Sequence, residues 1–117
     1  MRCIGVAGIV GVFVVTVACG GPSPQSDCDN MVSTYCNKIF QCLPTSGTTV
    51  YGSEGDCETQ MRSATNCAAW SCPSGETYNG AQIEACTNAI SAETCAELES
   101  ASSSPSACQN ITAATCS

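Results

Sequence analysis

The chain has 117 residues, room for one domain, with twelve cysteines, no histidine and three basic residues against ten acids, a net charge of −7. A cysteine share near one in ten marks a disulfide scaffold in a short exported chain. So few cations exclude nucleic acid as a partner and exclude electrostatic binding to anionic membranes, so any membrane attachment must be hydrophobic.

The N-terminus supplies such an attachment. Arg2 is its one positive residue, residues 3–18 carry no charge, and small residues follow. This is the three-part layout of a secretory signal. Cys3 to Gly21 also approaches the ~20 residues that span a bilayer. Five glycines in residues 5–21 and no basic stop-transfer flank favour cleavage over a span. Export implies an oxidising compartment, where cysteines pair. Cys3 leaves with the signal, and cleavage before Cys19 leaves eleven cysteines. Eleven is odd, so Cys19 stands apart, either lost with the signal or chemically occupied, and ten remain for five bridges.

Residues 20–27, GGPSPQSD, hold no apolar side chain beyond two prolines and read as a flexible tether. From Asp27 onward Cys28, Val32, Cys36 and Phe40 recur every four residues, which predicts a first helix capped by Ser26 or Asp27. Leu43-Pro44 ends it, and residues 45–52 read as a loop. Ser53-Glu54-Gly55-Asp56 resembles a capping box, opening a second helix whose apolar face is Cys57, Met61, Ala64 and Ala68. Trp70 to Tyr78 carries Pro73 and Gly75 and reads as a connector. Asn79 caps a third helix bearing Ile83, Cys86 and Ile90, and Ser91 starts a short fourth through Cys95 and Leu98. Residues 101–107 form a loop, and Cys108 and Cys116 pin the tail.

Only residues 48–50 have β-branched density, too short to seed a sheet. The expectation is therefore an all-α, small disulfide-stapled helical domain of three to four short helices. It comprises a signal peptide at 1–18, a lipid-attachment cysteine and tether at 19–27, and a cysteine-rich helical domain at 28–117. With so few large apolar side chains the folding balance lies near zero without staples. Each disulfide contributes typically ~2–4 kcal/mol by restricting the unfolded chain. The expected partners in bridges are Cys28, Cys36, Cys42, Cys57, Cys67, Cys72, Cys86, Cys95, Cys108 and Cys116. Eight cysteines allow 105 connectivities and ten roughly nine times that, so spacing does not select one. We expect Cys42 to bridge to Cys57 beside the loop that joins the first two helices, and Cys108 to join the later helices.

Two stretches resemble known families. Thr16-Val17-Ala18-Cys19 resembles the lipobox of bacterial lipoprotein signals, with Thr16 in place of the commoner Leu. In that class the cysteine thiol takes a diacylglyceryl group, the peptide is cut before it, and the new amine is acylated. Gly20 after Cys19 is similar to lipoproteins sorted to an outer membrane. Two or more acyl chains anchor stably where one is marginal. The mature part is similar to small cysteine-rich lipoproteins of myxobacterial type, through Cys86-Thr-Asn-Ala-Ile90, Cys95-Ala-Glu-Leu98 and Pro105-Ser-Ala-Cys108. That resemblance implies location and fold, not an activity.

Few residues point to chemistry. Structural zinc sites use close cysteine pairs or Cys with His, whereas the nearest pair here, Cys67 and Cys72, has four residues between and no histidine exists, so no metal is expected. A His-assisted nucleophile is excluded by composition. Glu54 with Glu58 and Glu93 with Glu97 are spaced by four, but a glycosidase needs carboxylates facing across a cleft, for which ~90 residues lack walls. Glu54, Asp56 and Glu58 fit the first helical turn, where the macrodipole favours acids. Asp27-Cys-Asp29-Asn30 lacks the remaining ligands of a calcium loop. Asn110-Ile-Thr112 is a glycosylation sequon. Trp70, the single tryptophan, packs on a disulfide or forms an exposed partner contact. The reading is a non-enzymatic, lipid-anchored envelope domain without cofactor, structural or partner-binding. It is held to the membrane through Cys19 and faces periplasm or exterior. The alternative is a freely secreted disulfide-rich effector or inhibitor.

Overall fold

The computed structural model of the protein describes residues 23–100, 104–109, 111 and 115–117. Cys19, the signal segment and Asn110 of the sequon lie outside the described residues. The architecture is all-α: α1 (Pro24–Cys42), α2 (Pro44–Tyr51), α3 (Glu54–Thr65), α4 (Ala81–Ala92) and α5 (Cys95–Ser100), with 3-10 turns at Cys67–Ala69 and Ser106–Cys108. Among the described residues there is no strand, only one isolated bridge between Tyr78 and Cys116.

The first helix begins earlier than the tether reading expects. Ser23, not Ser26 or Asp27, is the N-cap; its hydroxyl accepts from the Ser26 amide at 3.1 Å, and Pro24 at N1 has its φ preset for helix. Residues 24–27 are thus the first turn of α1, with Asp27 favourably placed at the positive end of the dipole. Cys28, Val32 and Cys36, one residue per turn, are the buried positions of α1.

Residues 45–52 also depart from the expected loop. Pro44 stops α1 because its ring disfavours helical geometry at Leu43, and the same ring is preorganised at N1 of α2. Thr48 and Thr49 hydroxyls donate to the Pro44 and Thr45 carbonyls at 2.8 Å. Gly47 is buried because α2 crosses close over α1: a Cβ there would meet Ile39 Cγ2 and the Phe40 ring at 3.3 Å. Gly52, at φ +91°, turns the chain into α3.

Ser53 caps α3 as expected, accepting from the Asp56 amide at 3.1 Å and donating to its Oδ2 at 2.8 Å. The helix stops at Thr65, short of Ala68, because Asn66 adopts the left-handed conformation at φ 56°. Ala68 falls beyond the helix, and both it and Ala64 are exposed rather than part of the buried face. Asn79 Oδ1 accepts from the Ala81 amide at the start of α4, whose buried face is Ile83, Cys86 and Ile90. The fourth expected helix starts later than Ser91: Thr94 and Glu97 form a reciprocal box, with Glu97 Oε2 taking the Thr94 amide at 2.8 Å and Thr94 Oγ1 taking the Glu97 amide at 3.2 Å.

Five disulfides close the structure: Cys28–Cys67, Cys36–Cys57, Cys42–Cys95, Cys72–Cys116 and Cys86–Cys108. Their Cα separations, 4.6 to 5.9 Å, are ordinary for bridges. No described cysteine is free. The expected Cys42–Cys57 bridge does not form. The extra helix α2 carries the chain back along α1, so Cys57 meets Cys36, and Cys42 at the end of α1 meets Cys95 instead. Cys108 does join a later helix, α4, through Cys86.

Among the described residues nine hydrophobic ones are buried, and five of them are half-cystines: Cys28, Cys36, Cys57, Cys67 and Cys86. The bridges are therefore part of the core as well as its staples. Val32, Trp70 and Ile83 complete the cluster around Cys28–Cys67 and Cys36–Cys57. Among the described residues no polar or charged residue is buried, so the interior needs no internal polar network.

Candidate functional site: an apolar cleft with one acid

Trp70 is 4% exposed and packs in the cluster with the Cys28–Cys67 bridge, while its Nε1 donates to the Thr65 carbonyl at 3.1 Å. An exposed partner contact at Trp70 is thereby corrected. The 3-10 turn after Asn66 swings the indole inward, and Thr65, freed at the end of α3, satisfies its N–H.

The acidic candidates disperse to structural roles. Asp27 Oδ2 accepts from the Tyr78 hydroxyl at 2.7 Å. Asp29 and Glu58 both pair with Arg62, at 3.1 Å each. Glu54 accepts from Asn37 at 3.3 Å, and Glu97 caps α5. Glu54 and Glu58 turn to different partners, Asn37 and Arg62, and Glu97 to Thr94. Among the described residues no cluster of three acids or cysteines is arranged to hold a metal.

Glu93 is different. It follows α4 and lines a half-open cleft of about 550 Å³, a volume ordinary for a small-molecule site. The domain thus has the walls that its size had argued against. They come from Met31, Tyr35 and Ile39 of α1, Met61 of α3, Ile90 of α4 and Leu98 of α5, with Pro105 and Ile111 also in the lining.

The cleft owes its shape to a second stripe on α1. Residues 31, 35 and 39 repeat every four, beside the buried stripe 28, 32 and 36, so one helix presents two adjacent apolar faces. One face is filled by the bridges to Cys67 and Cys57. The other borders the opening towards α4 and α5, because Cys42–Cys95 holds α5 against the end of α1 while α5 offers no buried side chain of its own. Met31 Sδ lies 3.6 Å from Cys86 Sγ, so part of the wall is soft, polarisable sulfur.

Polar groups in the cleft are few. Burial raises the Tyr35 hydroxyl above its ordinary value, helped by the neighbouring Tyr51 and by the charge of Glu93. Tyr35 therefore stays a neutral hydrogen-bond donor at neutral pH. Glu93 is the one carboxylate among the described lining residues, and among the described residues neither Lys38 nor Arg62 forms an ion pair with it. Sequence reading missed Tyr35 and Glu93 as members of one lining, although the 31/35/39 spacing was visible. Nothing local connects residue 35 to residue 93.

Comparison with protein-family models, with curated proteins and with solved structures returns no match.

Proposed function

We propose that this chain is a lipid-anchored, extracytoplasmic cysteine-rich domain with a structural or partner-binding role and no catalytic one. The observation that carries it is the pairing of all ten cysteines from Cys28 to Cys116 in five bridges. Such a set belongs to an oxidising compartment. It also leaves Cys19 without a pairing role once the signal, with Cys3, is removed, which agrees with the lipobox resemblance of residues 16–19. Acylated Cys19 then holds the domain on an outer membrane, facing periplasm or exterior. α1 begins at Pro24, so the link from lipid to fold is short. The absence of histidine and the structural engagement of the acids Asp27, Asp29, Glu54, Glu58 and Glu97 favour a non-enzymatic role.

The test is the intact mass of protein extracted in detergent from its native host, with and without a thiol-labelling reagent. The expected species starts at Cys19, is heavier by two or more acyl chains, and takes no label. A species starting beyond Cys19 with no added mass overturns the anchor and leaves a secreted disulfide-rich effector or inhibitor.

A further inference from the structure

We infer that the cleft between α1, α4 and α5 is a binding site for a small amphiphile with an apolar body and a cationic, ammonium-type end. This goes beyond the anchoring reading and does not depend on it.

Three observations carry the inference. The first is volume and lining. The half-open space of about 550 Å³ is lined largely by aliphatic, thioether and disulfide surface. With nine buried hydrophobic residues among the described ones, leaving Met31, Ile39 and Leu98 to face an opening forgoes core that the fold could use. An apolar guest restores that contact, and Met31 beside the Cys86–Cys108 bridge gives a wall that adapts to chain-like shapes.

The second is charge. Glu93 brings the one carboxylate to the lining. Neither described basic residue near the cleft pairs with it: Arg62 pairs with Asp29 and Glu58, and Lys38 Nζ donates to the Ser91 carbonyl at 2.9 Å. The chain as a whole carries −7, so its field attracts cations and repels anions such as fatty acids. A cationic end neutralises Glu93 in a setting where much of the surrounding water has been displaced by the guest.

The third is an aromatic ring in the same lining. Tyr35 and Glu93 both border the cleft. An aromatic ring and a carboxylate lining one cleft are the combination that recognises alkyl-ammonium groups, through cation–π attraction together with ion pairing. An alcohol or carboxylate end gains neither. Tyr35 and Glu93 set the polar end, and the stripe from Met31 to Leu98 receives the chain.

The experiment uses the intact oxidised protein and three photoactivatable probes of one chain length, an alkylamine, the matching alcohol and the matching carboxylate. Sites of cross-linking are read by peptide mass spectrometry. The expected result is labelling at the cleft residues, with the amine preferred over the carboxylate by about tenfold. Glu93→Gln is expected to bring the amine and alcohol within about twofold of each other. Leu98→Trp, which fills the cleft, is expected to suppress all three while the five bridges remain intact by mass. Labelling scattered over the surface, or equal for the three probes, overturns the inference. So does an unlabelled cleft in a protein that cross-links as a dimer, which makes a second copy the occupant. The peptide bearing Cys19 is read in the same digest, so failure of the cleft and failure of the lipid anchor are separate results.

Discussion

The bridges that tie α1 to α3 and to the 3-10 turn after it, and the bridges that hold α5 and the tail, solve different problems. Cys28–Cys67 and Cys36–Cys57 lie wholly inside, against Val32, Trp70 and Ile83, where sulfur fills space as a hydrocarbon side chain would. Cys42–Cys95 and Cys72–Cys116 lie near the surface and hold elements with little core of their own. α5 has no buried residue. The tail is joined to the connector by three backbone hydrogen bonds, Thr77 to Ser117, Ser117 to Thr77 and Asn79 to Thr115, and by one bridge. A disulfide inside the core supplies contact as well as constraint, whereas one at the surface supplies constraint alone.

The largest effect should come from removing the inner kind. Cys28→Ala with Cys67→Ala is expected to cost the ~2–5 kcal/mol of a native disulfide, with an added loss of buried contact. Trp70→Ala, which empties the same cluster, is expected to cost about 3–5 kcal/mol. Both are read as the shift in a urea unfolding midpoint. In a small domain either is a large fraction of the whole stability.

Cys42→Ala with Cys95→Ala sharpens the contrast. Ranked by loop length alone, this bridge, with a separation of 53, should outweigh Cys36–Cys57, with a separation of 21, by just under ~1 kcal/mol. Ranked by burial it should matter less. The expected outcome is a smaller midpoint shift than for Cys36→Ala with Cys57→Ala, with faster amide exchange confined to Cys95–Ser100. The reverse order would mean that chain entropy outweighs buried contact, and would erase the distinction.

A smaller effect tests the connector. Tyr78→Phe removes the hydroxyl that donates to Asp27 and is expected to cost about 1–2 kcal/mol. Burial first, then the hydrogen bond to Asp27 and its charge, raise the Tyr78 hydroxyl well above its ordinary value of 10.0. The folded state therefore holds this proton longer than the unfolded chain. Its contribution is complete below pH ~10 and is lost as pH rises beyond that. Unfolding measured across that range should show a shallower alkaline decline for Tyr78→Phe, with the part due to Tyr35 remaining. Smallest is Ser53→Ala, which leaves the Asp56 amide uncapped at α3 for a loss of about 1 kcal/mol by the same denaturation measurement.

Much of the fold was legible because helices are written in local spacing. Cys28/Val32/Cys36 and Ile83/Cys86/Ile90 mark buried faces, and the Ser53 cap marks a start. The misreadings fall where local rules compete. Pro44 signals an end and a beginning with the same ring, and only the packing of Gly47 on Ile39 and Phe40 makes the second reading win. Asn66 ends α3 by a left-handed turn that an otherwise helical Ala-rich continuation conceals. Trp70 has no local signal for inside or outside, since its burial depends on the Cys28–Cys67 bridge across 39 residues.

Periodicity, composition and parity are properties of the chain alone, and from them follow the all-helical class and the even set of ten cysteines from Cys28 to Cys116. Which cysteine meets which was decided by tertiary structure. Inserting α2 changes where the end of α1 lies relative to Cys57 and Cys95, and spacing contains no record of that. The cleft is of the same kind. Tyr35 and Glu93 come to line one cleft only when α4 packs on the second stripe of α1, and the three-dimensional path of the chain sets that meeting.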